Sequence, residues 1–325
     1  MNQKKKQETK SAGLLMLTSI IWGVAFVFQR TGMDHIGPFA FNFFRCIICL
    51  AFLFIINRIA GKRRKKLVEQ GYYEEVEGNK GFKDKSLIIG GLLAGLALFL
   101  AMSTQQVGMV STTASKAGFI TTMYIVMVPV MGIFYGRKTN LKMWICVALA
   151  AVGLYLLSIK EGFVIERGDF LVFLSAICFG LQIIVIDLFA PKADALKLSM
   201  VQFITSGTLS LIAMLGLENL TLLGLQAAAV AILYTGLLSS GVGFTLQIVA
   251  QKNLSPTISS LIMSMESGVS VVAGVLLLGE TLTSREIAGC IIMVIAVLAA
   301  QIQLPKKIER TAVVETKKIK AVEIK

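Results

Sequence analysis

The chain has 325 residues, of which 55% are hydrophobic, and it carries a formal net charge of +13. Soluble domains are about 45–50% apolar, so this composition excludes an ordinary soluble protein and indicates a polytopic membrane protein. A positive charge of this size can indicate nucleic-acid binding, but the basic residues here cluster in loops and tails, where membrane topology explains them. We expect no nucleic-acid partner.

The chain begins with a basic stretch, MNQKKKQETK, which precedes a full-length apolar segment. No small-residue cleavage pattern follows, so we expect a retained helix rather than a signal peptide. The only histidine, His35, lies in a short loop, and all five cysteines lie inside apolar segments. Zinc-type and serine–histidine catalysis therefore lack their parts, and no metal or cofactor is expected.

Ten apolar segments are long enough to cross a bilayer as helices, which requires about 20 residues each. These predicted spans are residues 11–32, 38–58, 87–107, 113–135, 141–159, 169–189, 196–217, 225–250, 255–278 and 284–304. Most connections are short. The exception is 59–86, which contains GKRRKK and YYEEVEGNKGFKDK and is expected to be a solvated, partly disordered loop.

The placement of Lys and Arg predicts the orientation of the spans. With the N-terminus in the cytoplasm, 26 of the 32 basic residues lie on the cytoplasmic side and five on the other. Cytoplasmic loops carry the excess of Lys and Arg. Both termini are therefore expected inside the cell, with the chain in the cell membrane.

The two halves of the chain echo one another. LTSIIWGVAF in the first span resembles LSAICFGLQI in the sixth, and ASKAGFITTMYIVMVPVMGIFYGRKT in the fourth resembles the ninth at a shift of 143 positions. Five spans per half invert the second half relative to the first. The sequence thus predicts an all-α fold of two inverted five-helix repeats, 1–160 and 161–304, around a central cavity, followed by a basic tail, 305–325.

The ninth span carries one carboxylate, Glu266, close to its middle. A charge at that depth costs at least about 2.5–3.5 kcal/mol on insertion scales, so it should face protein or water. Ser259, Met263, Glu266 and Ser270 fall on one stripe of the helix, which predicts a cavity wall. Glu266 is a candidate for proton coupling or for binding a cationic group, and the alternative is a structural partner for Arg45 or a helix end.

Two basic residues of the predicted spans are considered as functional groups. Arg45, in the second span, could hold a carboxylate in a bidentate fork, but a structural charge that braces a neighbouring helix is the favoured interpretation. Lys116 begins the fourth span and shares a helical face with Tyr124, with Thr121 beside it. This group either binds a carboxylate and an apolar side chain at the cavity mouth or consists of a snorkelling lysine and a packed tyrosine.

Further cavity candidates are amide and aromatic side chains inside the spans. An amide in hydrocarbon needs a partner, so each binds substrate or links helices. The aromatic rings either form a cavity wall or pack in the core. The candidates are Gln29, Gln105, Gln182, Gln247, Trp22 and Tyr234.

The ordered set of these features resembles the drug/metabolite transporter superfamily, specifically its ten-helix EamA-type members. The resemblance rests on WGVAF from Trp22, Arg45, QQVGMVSTTASKAGFITTMYIVMVP, YTGLLSSGVGFTLQIVAQKNLSPTISSLIMSMES and LLLGETLT, and it covers nearly all of 11–304. Members often have Glu-Pro in the ninth span, where this chain has Glu266-Ser267. The kink that proline would give is therefore expected to be absent or placed elsewhere.

The resemblance implies a secondary transporter of a small metabolite, and export of amino acids or related compounds by alternating access is the leading hypothesis. The alternatives are a channel-like facilitator and, less favoured, a membrane-embedded enzyme acting on a lipid-linked group. No GxxxxGK[ST] signature is present, so a proton gradient, exchange or the substrate's own gradient would drive transport. The expected partners are a small-molecule substrate and the lipid bilayer, with the fifth and tenth spans as the face for a homodimer, if one forms.

Overall fold

The structure is a computed structural model that describes residues 3–69, 82, 84–112, 114–134, 136, 139–158, 167–278 and 283–301. All regular secondary structure in these residues is helical. The α-helices are α1 Gln3–Gly32, α2 Pro38–Glu69, α3 Lys85–Met109, α4 Ala114–Thr121, α5 Tyr124–Phe134, α6 Leu141–Ser158, α7 Arg167–Phe189, α8 Ala195–Leu217, α9 Leu222–Ala227, α10 Ala229–Tyr234, α11 Phe244–Gln251, α12 Pro256–Met263, α13 Met265–Leu278 and α14 Ser284–Gln301.

Within the described residues, eight helices or helix pairs are long and apolar enough to cross a membrane. They coincide with predicted spans one to four and six to nine, so the prediction of a multi-pass helical membrane protein is confirmed. The predicted fifth and tenth spans are helices with shorter apolar stretches, Leu141–Gly153 in α6 and Ile287–Ala300 in α14. The predicted count of ten spans therefore stays a proposal.

The second helix differs from its prediction. The sequence predicted a loop from residue 59, but α2 continues as a helix through Glu69. This extension is rich in Lys and Arg, which are good helix formers in water, so the helix does not stop where the hydrocarbon ends. Residues 70–81 of the predicted loop lie outside the described residues, and Asp84 caps the start of α3 by accepting a hydrogen bond from the Ser86 backbone N–H.

Two of the spans are interrupted near their middle. The fourth is divided into α4 and α5 at residues 122–123, and the ninth into α12 and α13 at Ser264. At the first interruption the Thr122 hydroxyl donates to the Gly118 and Phe119 carbonyls. At the second the Ser264 hydroxyl donates to the Leu261 carbonyl, and such side-chain bonds compete with the helix ladder. The ninth helix is thus interrupted without a proline.

The eighth span contains a nine-residue π-helix, Thr235–Gly243, between α10 and α11. Three of its glycines allow unusually close contact with other helices or with the segment itself. A Cβ built on Gly236 would lie 2.8 Å from Ile48, and one on Gly243 would lie 2.6 Å from the Trp22 indole nitrogen. π-Helical segments are rare, and those that occur often lie at functional sites. This irregular segment therefore indicates where in the bundle a functional site is expected.

The first helix, α1, is the centre of the bundle. It contacts α4, α10, the π-helix, α11, α12 and α13. A Cβ on Gly23 would lie 2.7 Å from the Glu266 carbonyl oxygen, so this glycine is what permits α1 to approach α13. The second half of α1 therefore lies beside both the π-helix and the interrupted ninth span.

Cys46 and Cys49 on α2, which form a Cys-x-x-Cys sequence, are buried free thiols.

Candidate functional site

A cavity of about 40 Å³ lies at the meeting point of α1, α2, α3, the two interrupted spans and the π-helix. Besides Ser239, its polar lining consists of side chains that the sequence analysis singled out on six separate helices. They are Gln29, Arg45, Gln105, Thr121, Tyr124 and Glu266. One buried cation and one buried carboxylate therefore face the same small space.

The irregular helices around the cavity leave backbone carbonyls that α1 satisfies. Ser19 donates to the Ile262 carbonyl over 3.0 Å, one turn before Glu266, and Trp22 donates from its indole N–H to the Ser239 carbonyl over 3.1 Å. Carbonyls freed inside a membrane need partners from neighbouring helices. Because these bonds come from α1, the interrupted ninth span and the π-helix are both held against the same helix.

The carboxylate in the cavity is bound to a tyrosine of the other interrupted span. The Tyr124 hydroxyl donates to Glu266 Oε1 over 2.9 Å, and both residues are buried. Tyr124 is the first residue of α5 and Glu266 the second of α13. A single phenol satisfies only part of the hydrogen-bonding capacity of a carboxylate, so Glu266 retains acceptor positions that can face the cavity.

The cation in the cavity is held by neutral groups. Arg45, 2% exposed, donates to Ser240 Oγ, to Gln29 Oε1 and to Ser239 Oγ over 3.1–3.3 Å. Within the described residues, no carboxylate is paired with Arg45. Buried charges are normally paired, and a guanidinium has five N–H donors. Arg45 is therefore both fixed in place and able to bind an anionic group that enters the cavity.

The remaining polar lining is linked into the same network. Gln105 donates to Thr121 Oγ1 over 2.9 Å, which ties α3 to α4 just before the first interruption. Its neighbour Gln106 donates to the Gln29 backbone carbonyl over 3.1 Å, and the Gln29 side chain in turn accepts from Arg45. The amides of α3 thus support both the arginine and the interrupted fourth span.

The apolar lining is mostly aromatic. Trp22, Phe26, Phe179 and Phe244 line the cavity together with Met102. The Trp22 and Phe244 rings lie 4.7 Å apart between centroids at an angle of 50°, and Phe244 packs edge-on against Phe203 at 5.6 Å. The result is a cavity with two opposite charges and an aromatic wall, which suits an amphipathic solute.

Six of the ten predicted cavity residues, together with Arg45, lie on this cavity, and four lie elsewhere. Lys116 is ion-paired with Asp169 of α7, Nζ to Oδ2 2.5 Å, and Thr112 also donates to that carboxylate. Tyr234 stacks on Phe28 at 4.3 Å and donates to the Ile21 carbonyl. Gln182 and Gln247 bond to one another, and Gln182 also donates to Gln202 Oε1.

Several residues that the structure brings to the site have only weak signals in the sequence. Ser239 and Ser240 lie in the glycine-rich YTGLLSSGVG stretch, whose small residues are typical of close helix packing, and their hydroxyls accept hydrogen bonds from Arg45. Phe179 aligns with Trp22 in the two echoing segments, and both rings line the cavity. Asp169 at the start of the sixth span was the available partner for Lys116, but nothing local in the sequence pairs them.

Comparison with known proteins agrees with this architecture. The model of the EamA-like transporter family matches residues 9–159 and again residues 166–300. A curated protein from Archaeoglobus fulgidus named "Uncharacterized transporter" is 29% identical over 297 residues, which cover 89% of this chain and 85% of that protein. A solved crystal structure superposes with a TM-score of 0.69 at 14% identity, covering 90% of this chain and 96% of its own, and shows similarity of fold alone.

Proposed function

The chain belongs to the EamA-like transporter family, and we propose that it is a secondary carrier that exports a small zwitterionic metabolite, an amino acid or a related compound, by alternating access. The observation that carries this proposal is the placement of Arg45 and Glu266 on one aromatic-walled cavity. The match to a transporter family confirms the resemblance that the sequence indicated, whereas the substrate, the direction and the mechanism are the proposed part.

The substrate assignment follows from the two buried charges. Among the described residues, every hydrogen-bond partner of Arg45 is neutral, and Glu266 accepts one hydrogen bond from a phenol. An amino acid carries a carboxylate that fits a guanidinium fork and an ammonium that a carboxylate can bind. The aromatic wall of Trp22, Phe179 and Phe244 would then receive the side chain. One solute of this class satisfies all three parts of the cavity.

The size of the cavity supports a carrier rather than a facilitator. Sites for small metabolites are usually 300–1,000 Å³, whereas this cavity measures about 40 Å³. Helices must therefore move before a metabolite enters, as alternating access requires. A facilitator would need a continuous wide path, and saturable counterflow distinguishes the two because a pore does not produce it.

The two interrupted helices support an inverted-repeat mechanism. At the shift of 143 positions the interruptions at 122–123 and at Ser264 fall within two residues of each other, and the family model matches each half separately. Interrupted helices at a repeat interface commonly form transporter sites. We propose that ten helices form repeats 1–160 and 161–304, with α6 and α14 as the fifth and tenth.

The orientation and location are also proposed. Both termini are placed in the cytoplasm and the chain in the cell membrane. The reason is that 26 of the 32 Lys and Arg residues lie on the same side of the predicted membrane as the N-terminus. A homodimer would use α6 and α14, which pack on each other and expose apolar side chains such as Ile145 and Ile291. Those side chains suit lipid equally well, so the proposal does not depend on a dimer.

Proton coupling is assigned to Glu266. It is a titratable carboxylate in the cavity, and a substrate ammonium and a proton would compete for it. A carrier that alternates between these two occupants exchanges an outward-moving solute for an inward-moving proton.

The test is counterflow in proteoliposomes. Purified protein is reconstituted and loaded with one unlabelled amino acid at a time, and uptake of the same labelled amino acid is measured. We expect a transient, saturable overshoot for at least one class of amino acid, and a smaller overshoot in Glu266→Gln, because a neutral amide binds the ammonium of the solute less well than a carboxylate. Asp34→Asn, which changes an exposed carboxylate on the same protein, serves as the matched control. Non-saturable equilibration would favour a facilitator, and absence of flux for every amino acid would contradict the substrate assignment.

A further inference from the structure

Three helices bury a cluster of amides beside the cavity. Gln182 of α7, Gln202 of α8 and Gln247 of α11 are buried, and their side chains are hydrogen-bonded together. The Gln182 Nε2–Gln202 Oε1 distance is 2.9 Å, and the Gln247 Nε2–Gln182 Oε1 distance is 3.1 Å. The cluster is separate from the residues that line the cavity.

The cluster lies between the cavity and the end of the bundle at which α1 begins, the N-terminal face. Phe179 and Phe244 line the cavity, and Gln182 and Gln247 follow them by three residues on α7 and α11, which is about 4.5 Å along a helix. Gln251 lies one turn further along α11. Two residues later, the Asn253 side-chain amide donates a hydrogen bond to Ser11 Oγ near the start of α1. A polar path therefore continues from the aromatic wall toward the end of the bundle where α1 begins.

The amides do not satisfy one another completely. Gln202 Nε2 and Gln251 Oε1 are buried and have no hydrogen-bond partner in the described part of the chain. Buried polar atoms normally have partners in the protein or in bound water. A cluster whose only task is to fasten three helices gains nothing from an unused donor and acceptor, because each unmade bond leaves a desolvated group.

We propose that Gln182, Gln202 and Gln247 form a second binding site for the transported solute, between the cavity and the N-terminal face. This inference rests on the proposed function, because the solute is taken to be the carrier's own zwitterionic substrate. Neutral amides offer both donors and acceptors, so they solvate the charged ends of a zwitterion without holding them as firmly as Arg45 and Glu266. The site thus loads or releases solute across the aromatic layer of Trp22, Phe179 and Phe244.

The first experiment measures access to the cluster. Gln202→Cys protein is treated with a small cationic methanethiosulfonate reagent, and modification is followed by mass spectrometry. Ile248→Cys, a buried apolar position next to Gln247, is the matched control, and the unchanged chain gives the background from native thiols. Because buried cysteines are inert, we expect modification at position 202 to be much faster than at 248. Equal, slow modification would overturn the proposal in favour of a dry helix clamp.

The second experiment asks whether the solute itself occupies the site. The amino acid with the strongest counterflow should slow modification of Gln202→Cys, and Gln202→Leu should lower the counterflow rate about fivefold, as expected for one lost hydrogen bond. Gln226→Leu, at an exposed position of α9, should leave the rate unchanged. A helix clamp instead predicts an unaltered rate per folded molecule in Gln202→Leu and a lower melting temperature, because the leucine removes the acceptor of the Gln182 hydrogen bond.

These outcomes separate this inference from the proposed function. If no amino acid gives counterflow but Gln202→Cys is modified rapidly, the amino-acid assignment fails, while the cluster is still shown to be accessible to a polar solute. If counterflow is present and modification is slow, or is fast but not slowed by the transported amino acid, the second site fails alone.

Discussion

Tyr124 donates a hydrogen bond of 2.9 Å to Glu266, although 142 residues separate them in the chain. Each lies at the start of the half-helix that follows an interruption in its span. The bond therefore joins the two interrupted helices at the wall of the cavity. Under the proposed alternating access, movement of one half of the protein against the other would lengthen or exchange this bond, and Glu266 would respond to the conformational change as well as to the solute.

Glu266→Gln should abolish the pH dependence of transport. The amide preserves the shape and accepts the bond from Tyr124, but it does not titrate. Flux in proteoliposomes, measured over a series of external pH values, should vary for the wild type and be flat for the variant. Asp34→Asn should follow the wild-type curve, and a Glu266→Gln curve that does so as well would exclude Glu266 as the coupling group.

Arg45→Lys should impair substrate binding more than folding. Lysine keeps the charge but cannot reproduce the fork that bonds Ser240, Gln29 and Ser239. We expect the half-saturating solute concentration for counterflow to rise about tenfold, corresponding to about 1.4 kcal/mol. The melting temperature in detergent should change little. Collapse of the melting temperature with normal half-saturation would instead identify Arg45 as a purely structural charge.

Gly23→Ala should destabilise the bundle. A Cβ at this position would lie 2.5 Å from the Val269 Cβ and 2.7 Å from the Glu266 carbonyl oxygen. Such overpacking costs about 1–3 kcal/mol, and it would also push α1 away from the cavity wall. Gly13→Ala on the same helix, where a Cβ meets nothing within 4 Å, should be neutral or slightly stabilising. Thermal unfolding of the two variants side by side measures the difference, and equal melting temperatures would contradict the packing.

Glu218→Gln should lower stability without changing the transport rate per folded molecule. The Glu218 carboxylate accepts the Phe39 and Ala40 backbone N–H bonds over 2.9 and 2.8 Å, and so it caps the start of α2 from the end of α8. Losing the charge at a helix N-terminus costs about 1 kcal/mol. Reduced flux in the remaining folded protein would mean that this contact also takes part in the transport cycle.

Asp169→Asn should destabilise more than Lys116→Gln. The Asp169 side chain is 2% exposed and receives both Lys116 and Thr112, whereas the Lys116 side chain is 21% exposed and can reach water. Removing one member of a buried pair costs up to about 3–5 kcal/mol when the other stays buried, and solvent at Lys116 reduces that cost. Unfolding of each single variant and the double variant gives the coupling. Additive effects would show that the pair contributes nothing jointly.

Eight of the predicted spans agree with the structure, because the bilayer imposes a simple requirement on length and polarity. The extension of α2 to Glu69 was missed, since a basic helix in water and a basic loop have the same hydropathy. The π-helix at Thr235–Gly243 was also missed, because its glycines indicate close packing but not the hydrogen-bond pattern that results.

Charged residues deep in a span could be predicted as cavity residues, whereas polar residues that bond other helices could not be told apart from them. Glu266 and Arg45 could be found because a charge in hydrocarbon is costly and therefore conspicuous. Lys116, Gln182 and Gln247 show the limit, since a side chain that faces a cavity and one that bonds a neighbouring helix have identical local sequence. Asp169 lies 53 residues from Lys116 in the chain, and Gln202 and Gln247 lie 20 and 65 residues from Gln182. These pairs are recognised only when the helices are packed.

The most direct test of the central claim is a competition experiment on counterflow. The claim is that Arg45 and Glu266 receive the opposite charges of one solute. The transported amino acid should inhibit counterflow at a concentration at least about tenfold lower than its decarboxylated amine or its deaminated acid, because each analogue leaves one buried charge without its partner. Equal inhibition by all three compounds would show that the two charges do not bind the solute, and it would contradict the account.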